Sequence, residues 1–141
     1  MFAIGLVGVA IIGMSGAITA LGDTLFPSTS LAQTLAEQSN PGANFLIRLR
    51  IYHPIIAILV GVYSLYLVRH LSGQSNDNTG KRLGILMGTL IIIQWTAGVT
   101  NVLLLAPVWM QVAHLFLADS VWISYILLAG YTFSADHLEA L

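Results

Sequence analysis

Four stretches of this chain are apolar for long enough to cross a lipid bilayer, and that leaves few folds open. They run over about residues 2–21, 43–71, 81–105 and 107–133. Hydrocarbon about 30 Å thick is crossed by about 20 helical residues rising 1.5 Å each. Inside lipid every backbone N–H and C=O needs a partner within the protein, so a spanning segment is a helix or part of a closed barrel. No strand alternation appears, so the runs specify helices. The expected architecture is an all-α integral membrane four-helix bundle forming one transmembrane domain over residues 1–141.

Charge agrees. Only 8% of residues are charged, against about 25% in a soluble domain. The formal net charge of −1 offers no basic patch to neutralise phosphates, which excludes nucleic acid as a partner. There is no cysteine, hence no disulfide framework, thiolate metal site or thiol nucleophile. Phe2 to Leu21 has no Lys or Arg before it and exceeds a usual signal-peptide core, so it reads as a retained span.

The connections differ in character. Residues 22–42 form a polar surface loop with Asp23, Pro27, Asn40 and Pro41, within which Leu31 to Gln38 has the pattern of a short amphipathic helix lying on the membrane. Ser72 to Gly80 reads as a solvated loop, and the turn at Ala106-Pro107 makes the last two helices antiparallel neighbours. Arg69, Lys81 and Arg82 flank the middle loop, against Arg48 and Arg50 at the other end. The positive-inside tendency therefore places the middle loop and both termini in the cytoplasm of a bacterial cell, in a multi-pass inner-membrane protein. Gly13 and Ala17, Gly16 and Ala20, and Gly84 and Gly88 are spaced for close helix contact.

Two histidines carry the chemistry. His53 and His114 fall on the second and fourth spans, which run the same way, at depths of roughly 10–15 Å from the outer ends. Imidazoles are costly inside lipid, and a pair at matched depth is suited to grip a heme iron from opposite faces. The bland alternative is hydrogen bonding between helices. Pro54 leaves the carbonyl of Arg50 without its helical donor, so the helix should bend there and aim His53. Arg48 and Arg50, one turn outward, suit heme propionates or lipid headgroups. Gln94 and Asn101 share a face of the third span and should point inward, as glue or toward a cofactor. Asp119 is the one acid well inside a span, a candidate for a bond across helices or for proton movement. Trp109, Trp122, Tyr125 and Tyr131 read as interfacial or packing aromatics, and His70 and His137 as solvated.

These residues stand in a recognisable order. Arg48-Leu-Arg-Ile-Tyr-His53-Pro54, Gly98-Val-Thr-Asn101-Val-Leu-Leu-Leu-Ala-Pro107 and Gln111-Val-Ala-His114-Leu-Phe-Leu-Ala-Asp119 resemble the heme A synthase (CtaA) family, specifically its C-terminal four-helix half. The stretch from Gly16 to Pro27 fits the start of that half. The resemblance implies an enzyme of two similar four-helix halves that oxidises a methyl group of heme O to the formyl group of heme A. It implies that His53 and His114 are axial ligands of heme b in the cofactor half. The glutamate that precedes the first histidine in the family's reactive half is Arg50 here, and the family's paired cysteines are missing.

The resemblance thus implies heme, b or O, as the bound group. It implies an N-terminal half or a second copy as a companion, a heme O synthase upstream, and a quinone or other electron acceptor. A fragment and a short single-half homologue both fit. Two other classes stay open: a small bis-histidine b-type cytochrome passing electrons, and a structural or transport subunit with no heme.

Overall fold

In the computed structural model, residues 1–74 and 78–139 are described, without the side chains of 72–74 and 135–139. Within these the chain is helical: α1 (Phe2–Leu25), α2 (Leu31–Ser39), α3 (Phe45–Leu49), α4 (Tyr52–Gln74), α5 (Asn78–Leu103) and α6 (Val108–Glu139). Four segments are long and apolar enough to span a membrane: α1, α3 with α4, α5, and α6. The all-α membrane bundle is therefore the architecture of this chain.

Each spanning helix borders two others. α1 packs on α4 and α6, and α5 packs on the same two. α4 and α6 therefore lie across one diagonal and α1 and α5 across the other. The core gathers at one end, where Phe2 of α1, Leu67 of α4, Met87 and Ile91 of α5, and Val121, Tyr125, Leu128 and Ala129 of α6 meet. Phe2 stands edge-on to Tyr125 at 6.0 Å. A β-carbon on Gly5 would collide with the Tyr125 hydroxyl, so a glycine is what lets α1 approach α6. Trp95 ties α5 to α4 by donating from Nε1 to the Ala57 carbonyl at 3.3 Å.

The connections follow local chemistry. Ser30 caps α2 by accepting from the Gln33 N–H, while the Gln33 side chain accepts from the Thr29 N–H at 3.0 Å. Such reciprocal bonding at a helix start satisfies donors that have no partner in the helix. Asn44 caps α3 by accepting from the Leu46 N–H. Between α5 and α6, Leu105 and Ala106 have φ of 60° and 54°. Gln111 Nε2 holds this strained turn by donating to the Ala106 carbonyl at 2.6 Å.

Two helix boundaries depart from the sequence reading, and the expected bend before Pro54 is present. α1 continues to Leu25, so Asp23 stands in its last turn rather than in a loop. The second span is broken at Arg50 and Ile51, because Pro54 has no N–H for the Arg50 carbonyl. α4 and α5 extend into the expected middle loop, of which residues 75–77 lie outside the described residues. Gly13 meets nothing within 4 Å of a β-carbon, so it mediates no helix contact, whereas Gly16 meets His53.

Candidate functional site

His53 occupies the first turn of α4, where the break before Pro54 sets its direction. The ring lies against α1. Its Cε1 would be 3.1 Å from a β-carbon on Gly16, and its Nδ1 is 3.0 Å from the Ser15 hydroxyl. That hydroxyl also donates to the Ile12 carbonyl at 3.0 Å.

His114, two turns into α6, repeats the arrangement on the other diagonal neighbour. Its Cε1 would be 3.2 Å from a β-carbon on Gly98 of α5. Its Nε2 lies 3.4 Å from Gln94 Nε2. Gln94, Gly98 and Asn101 are four and three residues apart in sequence, so they line one face of α5. The two rings belong to α4 and α6, which lie across one diagonal of the bundle. Both are half-buried, at the end of the bundle away from the apolar core.

Several polar atoms here lack protein partners. His114 Nδ1, Gln94 Oε1 and Asn101 Oδ1 are buried with no hydrogen bond. A buried polar atom left without a partner costs about 1–3 kcal/mol, so this cluster is not a self-contained structural network. Among the described residues no group of three or more His, Cys, Asp or Glu could hold a metal ion. The two imidazoles form a different kind of donor set. A bare cation such as zinc needs three or four protein ligands. A porphyrin supplies four nitrogens itself and leaves two axial positions, which imidazoles commonly fill. Ring edges laid on glycines and a pair of nitrogen ligands fit that group.

The arginines part company. Arg50 is 5% exposed, and its guanidinium is committed to the end of α1. Nη2 donates to the carbonyls of Gly22 at 2.6 Å and Phe26 at 2.8 Å. Nε forms an ion pair with Asp23 Oδ1 at 2.9 Å, without the alignment of a hydrogen bond. The sequence suited Arg50 to heme propionates or lipid headgroups, whereas here it caps α1 and offsets an acid at the helix's negative pole. Arg48 is exposed, with no partner among the described residues.

Asp119 is exposed on the outer face of α6 rather than turned toward another helix. Tyr125 is fully buried in the core, while Trp109 and Trp122 are exposed. His70 is exposed and stacks on Tyr66 at 6.0 Å; the side chain of His137 lies outside the described residues. A surface groove of about 460 Å³ between α4 and α5, lined by Leu65, Arg69, Gly84 and Gly88 among others, touches neither His53 nor His114. Sequence reasoning missed Ser15 and Gly98. Helical spacing alone gives no signal for them, since the partner histidines are 38 and 16 residues away.

The chain is 46% identical over 129 residues to a protein named protoheme IX farnesyltransferase from one strain of Thermus thermophilus, covering 89% of this chain and 21% of that one. It is 45% identical, with the same coverage, to the protein of that name from a second strain of the same species. The chain therefore spans about a fifth of the length of these relatives. No solved structure matches it. Residues 1–126 match the family COX15-CtaA, described as cytochrome oxidase assembly protein. With most of its length so matched, this membrane chain belongs to the COX15-CtaA family of cytochrome oxidase assembly proteins, the heme A synthase family.

Proposed function

We propose that this chain is the heme-holding half of a heme A synthase-type protein, with His53 and His114 as the axial ligands of a heme b iron. One observation carries the reading. The two imidazoles come from diagonally opposed helices, each resting on a glycine of the helix between, at the end that the apolar core leaves open. When bound, the heme supplies a one-electron couple.

The chain's own residues bind and orient it. The glycines at 16 and 98 leave room for the ring edges, and Pro54 turns His53 inward. The buried amide acceptors of Gln94 and Asn101 would be met by water trapped beside the bound group. Arg48, exposed and unpaired, is the candidate for a propionate; Arg50 is already engaged.

The groups touching the rings are a hydroxyl and an amide. Neither is an acid or base suited to work on a porphyrin methyl. The reactive step therefore belongs to a companion half, with a quinone or similar acceptor taking electrons. Relatives named for protoheme farnesylation support a place beside the enzyme that supplies farnesylated heme. The setting is a bacterial plasma membrane, with the histidine end facing outward and both termini inward.

That same donor set favours a second reading, a b-type cytochrome that only relays electrons. Co-expression with a heme O synthase separates the two. Heme A in the extract is expected from the chain together with its companion half, and heme O unchanged under those conditions supports relay alone. A pyridine hemochrome assay of the purified chain tests the shared premise: heme b near one per chain is expected, and no Soret band after hemin addition defeats both.

A further inference from the structure

The hydroxyl of Ser15 has one proton and two neighbours. A carbonyl oxygen accepts and cannot donate, so both contacts are hydrogen bonds at once only when the hydroxyl proton goes to Ile12, at 3.0 Å. The 3.0 Å contact with His53 Nδ1 is then satisfied in one way, with the imidazole N–H donating to Oγ. A neutral imidazole carries a single N–H. With the proton on Nδ1, the lone pair stands on Nε2.

Two further features hold the ring in that state. Gly16, next in sequence to Ser15, lies under Cε1 and leaves little space for the ring to tilt toward α1. His53 also sits beside a proline in the first turn of α4, where the backbone is constrained. The ring is thus fixed from α1 by a hydroxyl and from α4 by its own backbone. His114 has no counterpart of Ser15: its Nδ1 is buried without a partner, and its Nε2 faces the Gln94 amide.

From this we infer that Ser15 is a positioning residue. It sets the tautomer and orientation of His53, presenting Nε2 as a ready donor, so the two histidines are inequivalent before any ligand arrives. The functional side of this inference rests on His53 being an iron ligand. Groups that orient a ligating histidine through its other nitrogen typically change metal affinity by about 10–100-fold when removed.

The test uses the full chain, first without heme. Nitrogen NMR of the His53 ring is expected to show one tautomer, protonated at Nδ1. Ser15→Ala is expected to give a mixture, and Ser15→Thr to restore the single form. Hemin titration of the same proteins should show Ser15→Ala binding about 10–100-fold more weakly, with Ser15→Thr close to the parent. Thr19→Ala, which loses a hydroxyl bonded only to the Ser15 carbonyl, should leave both readouts unchanged. An unaltered tautomer and affinity in Ser15→Ala overturn the inference. Wild-type hemin affinity in His53→Ala instead overturns the ligand assignment, which the tautomer measurement does not depend on.

Discussion

The ring of His114 rests on Gly98, so close that a β-carbon there would lie 3.2 Å from Cε1. His53 stands in the same relation to Gly16 at 3.1 Å. Both separations are tighter than ordinary van der Waals contact, so one methyl group forces the ring to yield by a few tenths of an ångström. Gly98→Ala should therefore weaken hemin binding modestly and Gly98→Val strongly, by tenfold or more, a loss of about 1.4 kcal/mol. Circular dichroism should show unchanged helix content, and equal hemin affinity in both variants would contradict the arrangement.

Arg50 and Arg48 should separate when each is removed. Taking away one partner of a buried ion pair strands the other, at a cost of about 3–5 kcal/mol. Asp23 retains some exposure, its side chain being 19% accessible, so Arg50→Met is expected near the lower end, read as a fall in thermal stability in detergent. Arg48→Ala should leave stability within about 0.5 kcal/mol while weakening hemin binding. A thermal midpoint unmoved by Arg50→Met would remove Arg50 from the end of α1.

The far end of the bundle offers a test independent of heme. Gly5→Ala puts a methyl group into the hydroxyl of a wholly buried Tyr125. Overpacking of this kind costs about 1–3 kcal/mol. Thermal unfolding of the apo chain should report that loss, and an unchanged midpoint would mean that α1 does not lie against α6 as described.

The turn between α5 and α6 holds two consecutive non-glycine residues in the left-handed region. Each such residue stores about 1–2 kcal/mol relative to a glycine. Ala106→Gly should therefore raise stability, by up to about 1 kcal/mol after the added flexibility of the unfolded chain is counted. Gln111→Leu, which removes the bond to the Ala106 carbonyl, should lower it by about 1 kcal/mol. A destabilising Ala106→Gly would contradict the backbone conformation.

The spans, the bend before Pro54 and the short helix from Leu31 were legible in the sequence, because length, proline chemistry and amphipathic spacing act locally. The facing of the helices was much less so. Lipid is as apolar as a protein core, so a membrane helix need not alternate between polar and apolar sides, and Ser15 looks like any other small residue of α1. Gly22-Asp23 read as a loop because they open the polar stretch that joins the first two spans. Arg50, 27 residues later, supplies the charge that lets the helix continue. Asp119 was read as an acid bonding across helices or moving protons, and Arg50 as a partner for heme propionates or lipid headgroups. The structure turns the first out and buries the second.

The most direct measurement is the absorption and electron paramagnetic resonance spectrum of the purified chain with hemin, beside His53→Ala and His114→Ala. A bis-imidazole low-spin signal is expected in the parent, and each substitution should convert it to high spin or abolish binding. Two variants that both keep the parent's low-spin spectrum would contradict ligation by these histidines.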